Sequence, residues 1–567
     1  MAEFLRTSVL VVGGGPVGMT LAMDLAWRGI DVVVAEMLAD DERPEVKCNS
    51  VGARTMEVFR RLGVSAKVRA GGMPGDYPQH ASYRTTTIGP EMSRIPMPAS
   101  DARYTATEGP DCGWPTPEPQ HHINQLFLNP ILREHLKSDP RIRYLSRFRV
   151  EEFTQSADGV SARAKSLDGG KEIRIDAEYL VGCDGGRSGV RKALGIAMVG
   201  DAVLQRVQST FIRAPGLIAL MSAGPAWCMT SFNPRRCGNV YSIDGRETFL
   251  IFNYLKENEA DFEAVDRDRC IRDILGVGPD FAYDIITRED WIGRRLLAER
   301  FRVGRVFLCG DSAHIWVPYG GYGMNAGIAD ACNLSWMLAA HLKGWAPATI
   351  LDAHEAERYP VTEQVSHFAM GSAFTAIKMR REVPANIEDP GPEGEAIRQI
   401  VGREASAVAV TRLCAAGLNF GYFYDASPII SYDGEPAPGY TMNSFTESTV
   451  PGCRLPHLWL TDGSSLYDAL GAEYTLLRRD REIDISELTN GFAARGVPLA
   501  VLDLDAAKTG PQYRHALLLV RPDQHVAWRG DTVPADVLAL VDLLRGARAT
   551  ADTLHRTTAR MPQPAQA

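Results

Sequence analysis

Gly13, Gly15 and Gly18 are spaced as G-x-G-x-x-G, and Glu36 follows at the end of the next apolar run. The first apolar run, Ser8–Val12, reads as a buried parallel strand. Met19–Arg28 reads as a helix that Gly29 stops, and Asp31–Ala35 reads as a second strand. In this order Gly13 permits a tight turn, Gly15 lets a pyrophosphate approach the backbone, and Gly18 lets helix and strand pack closely. The helix N-terminus offers free N–H groups to phosphates. Glu36 is placed to accept hydrogen bonds from an adenosine ribose. A dinucleotide is therefore expected here, and the fingerprint does not choose between FAD and NAD.

Two further places join a strand, an acid and a helix entrance. Tyr179–Gly182 runs into Cys183-Asp184-Gly185-Gly186-Arg187-Ser188 and a short helix. Arg305–Leu308 runs into Cys309-Gly310-Asp311-Ser312-Ala313-His314. A loop carrying Pro318, Gly320, Gly321 and Gly323 follows, then a long helix from Met324. Asp184 and Asp311 could serve a phosphate or ribose, or cap helices. His314 reads as structural rather than catalytic. Arg54 opens a helix, where the dipole disfavours a cation, so either an anion holds it or water does.

The elements that must position these residues fill a chain of 567 residues, enough for two or three domains. Residues 1–380 read as α/β segments interrupted, at about 80–105 and 195–290, by a mostly antiparallel sheet. Asp244-Gly245 is its clearest hairpin signal. Trp227 and Met229 on one of its strands are candidates for a pocket wall, with core packing the alternative. Residues 380–400 are Pro/Gly/Glu-rich and mobile-looking, within a helical linker over 381–451. Residues 452–550 give a βαβ–ββα order that suits a thioredoxin fold, and 551–567 read as a frayed tail. Cys453 is the only cysteine of that last domain, which excludes dithiol chemistry and leaves packing or dimerisation.

Hydrophobic content of 45% and charged content of 23% are ordinary for a globular protein. The net charge of −9 offers no basic excess for nucleic acid. There is no signal-peptide pattern and no run long enough to span a membrane. The ten cysteines are scattered singly, which suits a cytoplasmic protein without a zinc or other metal site.

Three stretches together resemble the FAD-dependent aromatic hydroxylases, the group A flavoprotein monooxygenases. They are V-V-G-G-G-P-V-G-M-T, Y-L-V-G-C-D-G-G-R-S-G-V-R-K, and R-V-F-L-C-G-D-S-A-H with its Gly-rich loop. Residues 451–468 are similar to the start of the C-terminal domain in the phenol-hydroxylase branch. The resemblance implies an α/β, Rossmann-like FAD-binding domain of the para-hydroxybenzoate-hydroxylase type, with an inserted substrate sheet and a C-terminal thioredoxin-like α/β domain. It implies a homodimer that uses NADPH or NADH and O2, through a flavin C4a-hydroperoxide, to hydroxylate a phenolic or electron-rich ring.

By position, Gly13, Gly15, Pro16, Val17 and Gly18 would hold the FAD pyrophosphate, and Glu36 its ribose. Arg54, Gln125 and Asp184 would also contact FAD, Asp311 would bind the ribitol, and Gly321, Gly323, Met324 and Asn325 would meet the flavin edge. Pro318, Tyr319 and Tyr322 would stand by the active site. The branch's base, an Asp or His five residues before the arginine of R-T-M-E, is replaced by Asn49, which cannot take a proton. Asn49 is therefore expected to orient the substrate. Tyr319, Tyr322 and the His121–His122 pair are the other candidates for deprotonating it. Aromatic catabolism is the leading reading and polyketide tailoring the alternative. A non-catalytic binding protein on the same fold is disfavoured by the intact Asp-Gly and Gly-Asp motifs.

Overall fold

The computed structural model describes residues 3–47 and 50–547. They form two compact units. The first takes residues up to Cys332, Val361–Tyr422 and Gly439–Thr446; the second takes Asn333–Pro360, Phe423–Pro438 and the described residues from Glu447.

The first unit is built on β1 (Glu3–Val12), whose Val9, Leu10 and Val11 are fully buried. β1 pairs in parallel with β2 (Val32–Glu36) on one side and with Glu172–Gly182 on the other. Val306–Leu308 extends the parallel order beyond Glu172–Gly182, and Ile142–Ser146 extends it beyond β2. Helix α1 (Pro16–Trp27) connects β1 to β2 with Pro16 at its first turn, where a missing N–H costs nothing. Parallel pairing of β1, β2, Glu172–Gly182 and Val306–Leu308 brings four strand ends to one edge of the sheet. Ligands bind at such carboxyl edges in open α/β sheets.

A second, nine-stranded sheet uses Ala81–Arg84, Glu91–Ile95 and strands between Met198 and Ile315. The expected hairpin is present: Gly238–Ser242 pairs antiparallel with Thr248–Tyr254. Its connection is longer than a two-residue turn. Asp244 Oδ1 ties it by accepting from the N–H groups of Arg246, Glu247 and Thr248 at 2.9, 3.1 and 3.0 Å. One face of this sheet packs Val240, Phe249 and Ile251 on Ile271 and Ile274 of the Arg267–Leu275 helix.

The mobile-looking stretch 380–400 behaves differently from expectation. Pro392 opens a 22-residue helix, Pro392–Leu413, with Glu393 and Glu395 in its first turn. Proline and acids there are helix-start signals as much as loop signals. The helix lies so close to Glu91–Ile95 that a Cβ on Gly402 would sit 2.3 Å from the Met92 carbonyl oxygen.

The second unit holds a four-stranded mixed sheet in the order Leu499–Asp503, Tyr474–Arg478, Leu517–Val520, Val526–Gly530. Its first pair is parallel and the rest antiparallel. Arg521, in the turn between the last two of these strands, is fully buried. It pairs with Glu357 at 2.5 and 2.8 Å and with Asp523 at 2.7 Å.

Candidate active site

The glycine fingerprint is shaped by close approaches. Gly13 has φ +107°, and a Cβ there would lie 2.3 Å from the Cys183 carbonyl oxygen. A Cβ on Gly18 would lie 2.0 Å from the Gly13 carbonyl oxygen, so α1 could not pack as it does. Gly15, the residue capping α1, has nothing within 4 Å of its Cβ position. Its backbone is approachable from outside, and Pro16 and Val17 form the first turn behind it. Glu36 ends β2 and its carboxylate accepts from the N–H of Gly14 and, at 2.7 Å, of Leu38. Tyr144, which the sequence reading did not single out, stands beside this end. Burial and the Glu36 carboxylate push its hydroxyl above the ordinary tyrosine value.

The second acid is committed to a helix entrance. Asp184 accepts from Ser188 Oγ at 2.5 Å and from the N–H groups of Gly189 and Val190 at 2.7 and 3.1 Å. The capping alternative thus describes its present bonds. Asp311 differs. Its side chain is solvent-exposed while protein encloses it at longer range, and that burial pushes its carboxyl above the ordinary value against the pull of His314. An acid on the floor of a concavity has this signature, and it fits a ligand hydroxyl. His314 is structural, as expected: Nε2 lies 2.6 Å from Asp330 Oδ2 and its ring stacks on Trp316.

Arg54, in the first turn of α2 (Ala53–Arg61), meets the Glu57 carboxylate at 2.8 Å, so the anion beside it here is a protein side chain. Gln125 begins the Gln125–Lys137 helix half-buried, its N–H donating to Lys47 O at 3.3 Å.

The loop before the Gly323–Leu342 helix turns on two left-handed glycines, Gly320 (φ +87°) and Gly321 (φ +63°). Asn325 anchors it: Oδ1 accepts from Gly52 N at 2.7 Å while Nδ2 donates to Gly321 O at 2.8 Å. Met324 is buried beside it, and Pro318 is exposed. Tyr322 donates its hydroxyl to the Leu418 carbonyl, which leaves it poorly placed as a base. Tyr319 reaches the second sheet, its hydroxyl 3.4 Å from Gln205 Oε1 and 2.9 Å from Arg380 Nη2.

Met229 is not a pocket-wall residue. It is fully buried on the helix-packed face, with Val240 and Ile251 opposite it in register. Its neighbour Cys228 faces the other way, in register with Tyr241. Trp227, just before that strand, is buried with its ring stacked 3.7 Å from His122 and edge-on to Tyr241 at 5.6 Å. Tyr241, Phe252 and Trp291 continue a row of aromatic contacts. His121 and His122 are both buried; burial, with Arg69 and Arg103, holds the His121 imidazole down to about 3, and His122 well below its ordinary value. Both stay neutral at working pH. Asn49 lies outside the described residues.

A glycine cradle, an enclosed acid and a glycine-rich helix entrance at one sheet edge define a protein built for a nucleotide cofactor. Comparison with known proteins identifies which one. Residues 6–369 match the FAD binding domain family and residues 448–551 match the aromatic-ring hydroxylase C-terminal family. The chain belongs to the FAD-dependent aromatic-ring hydroxylases and is a flavin-dependent monooxygenase. It is 31% identical to tetracenomycin B2 monooxygenase-dioxygenase of Streptomyces olivaceus, over 95% of this chain and 98% of that one. It is 28% identical to phenol 2-monooxygenase of Pseudomonas sp. (strain EST1001), over 96% and 93%. The structure of the rebeccamycin biosynthetic enzyme RebC with reduced flavin superposes with a TM-score of 0.86 at 35% identity, covering 96% of this chain and 100% of that one. Among the described residues no helix is long and apolar enough to cross a membrane, and no cluster of His, Cys, Asp and Glu could hold a metal ion.

Proposed function

We propose that this monooxygenase uses NAD(P)H and O2 to hydroxylate a phenolic or otherwise electron-rich ring lodged between the 318–323 loop and the aromatic face of the second sheet. The observation that carries this reading is the contact of Tyr319 with Gln205 and Arg380, which joins the expected flavin loop to that sheet. With Gly13 shaping the turn, the N–H groups of Gly15, Val17 and Gly18 would hold the FAD pyrophosphate, Glu36 the ribose and Asp311 the ribitol. Gly321, Gly323, Met324 and Asn325 would present N–H groups to the flavin ring. When bound, FAD supplies hydride acceptance from NAD(P)H and the activation of O2. The protein's own part is to orient the ring and keep water out, and the half-buried Tyr241, Phe252 and Trp291 give that face its apolar character.

The relatives include phenol and dichlorophenol monooxygenases as well as a putative polyketide hydroxylase. The unbroken aromatic row from Trp227 to Trp291 favours a polycyclic ring over a single phenol. The test is NAD(P)H oxidation by the FAD-loaded protein with monocyclic and polycyclic phenols, with H2O2 and hydroxylated product both measured. Coupled hydroxylation of a polycyclic phenol is expected. A colourless protein that cannot be reconstituted with FAD, or reductant consumed entirely as H2O2 with every phenol, would overturn the proposal; coupled turnover of monocyclic phenols alone would overturn the polycyclic preference.

A further inference from the structure

Two arginines beside the 318–323 loop have no carboxylate partner among the described residues. Arg380 lies in the last turn of the Asp352–Arg381 helix and Arg412 in the last turn of the Pro392–Leu413 helix. Arg380 Nη2 donates to Tyr319 Oη and to Gln205 Oε1, both at 2.9 Å, and its guanidinium lies 3.9 Å from the Tyr254 ring centroid. Arg412 Nη2 donates to Tyr83 Oη at 2.9 Å, with its guanidinium 5.7 Å from the Tyr319 ring. Tyr83 and Tyr254 project from the sheet face that carries Tyr241, opposite the one that packs Met229.

Several other enclosed arginines of this unit are matched with acids, Arg84 with Glu91, Arg103 with Asp111 and Arg236 with Glu259, whereas Arg191 donates to the Ser312 and Gly186 carbonyls. Neither Arg380 nor Arg412 forms an ion pair with a described carboxylate. The tyrosines do not substitute, because burial raises the Tyr83 and Tyr254 hydroxyls above their ordinary value and keeps them protonated. A helix C-terminus attracts a cation but does not use its donors. Each guanidinium has five N–H groups, and among the described residues protein acceptors engage only the Nη2 of each. Both side chains are half-buried, so neither is closed off from a ligand.

We propose that Arg380 and Arg412 are the anion-recognition end of the substrate site, taking a carboxylate or an ionised phenol on the aromatic compound to be hydroxylated. The inference rests on the monooxygenase reading above and adds the charge of the substrate. Planar forks of this kind match such oxygens closely, while Tyr319 and Tyr83 hold the forks in place.

The test uses the FAD-loaded, full-length protein and ring-matched ligands. Phenol is paired with 4-hydroxybenzoate and 2-naphthol with 3-hydroxy-2-naphthoate, and 4-nitrophenol above its pKa serves as the phenolate arm. Kd is read from the flavin absorbance change. At least one anion should bind about tenfold more tightly than its neutral partner, and Arg380→Gln or Arg412→Gln should remove most of that preference. Neutral-ligand Kd should shift less than the anion Kd, and Arg380→Lys should keep part of the preference. Preference for the carboxylates alone, or for nitrophenolate as well, identifies the oxygen recognised. Equal binding of acid and neutral partners, no binding by any anion, or a double Gln variant that keeps the preference overturns the inference. A wild-type protein that hydroxylates only neutral rings refutes this inference and leaves the monooxygenase reading intact; one that holds no FAD refutes that reading itself.

Discussion

Gly15→Ala and Gly18→Ala are the same chemical change three residues apart, and the structure assigns them opposite consequences. At Gly18 the added methyl would stand 2.0 Å from the Gly13 carbonyl oxygen and 3.2 Å from Cys183 Cβ. Backbone cannot rotate away as a side chain can, so α1 must lift from the strand ends. Overpacking of this kind costs about 1–3 kcal/mol. At Gly15 the methyl meets nothing within 4 Å, and φ −73°, ψ 179° suits any residue. There the lost cap preference, about 1 kcal/mol, is nearly offset by the less flexible unfolded chain, about 0.4–1 kcal/mol. The methyl does, however, occupy the approach a pyrophosphate needs. Apoprotein urea midpoints and FAD titrations separate the two. Gly18→Ala should lower the first unfolding midpoint clearly. Gly15→Ala should leave it in place while weakening FAD at least tenfold, about 1.4 kcal/mol. Wild-type FAD affinity in Gly15→Ala would refute the assignment of the loop to the cofactor, and an unchanged midpoint in Gly18→Ala would refute the packing argument.

Asp311→Ala should weaken FAD by roughly 0.5–1.5 kcal/mol for each ribitol hydrogen bond lost; unchanged FAD affinity in the folded variant would count against the Gly-Asp motif. In the second unit Glu357 also accepts from Ser427 Oγ at 2.5 Å and Asn333 Nδ2 at 2.6 Å, so Glu357→Gln should destabilise by roughly 3–5 kcal/mol. Asp523→Asn leaves the Arg521–Glu357 pair intact and should cost less; equal losses in urea unfolding would reject this ranking. His121, held to about 3 by burial and the nearby arginines, and the depressed His122 stay neutral when folded, whereas unfolded histidines protonate near 6.5. The unfolded state then binds more protons below that value, so stability should fall as pH drops from about 6.5 towards 4, by up to about 1.4 kcal/mol per pH unit for each histidine. A flat profile would exclude the histidines as its source, and one that His121→Phe does not flatten would exclude His121.

The cofactor end of the molecule was legible because its signals are local. A β-branched run, a glycine that needs a positive φ and a helix start are set by neighbours in sequence, and parallel pairing then brings Gly13, Asp184 and Asp311 to one edge. Met229 takes the core-packing alternative, which the sequence left open because adjacent strand positions face opposite ways and hydrophobicity alone does not say which side holds the helix. Residues 380–400 read as mobile because proline, glycine and glutamate mark both loops and helix starts, and only the packing of Pro392–Leu413 on Glu91–Ile95 decides.

Arg521 and the Arg380–Arg412 pair show a different limit. Arg521 sits in a Pro-Asp turn that looks solvated, and its partner Glu357 is 164 positions away. Arg380 and Arg412 end helices where a surface cation is the ordinary expectation. What separates the three is the partner each finds in space. Arg521 is closed between two carboxylates and its donors are consumed, so it holds the second unit together. Among the described residues Arg380 and Arg412 meet only neutral oxygens. The same residue type thus serves packing in one unit and is left available for a ligand in the other, and the difference lies in the count of acids within reach.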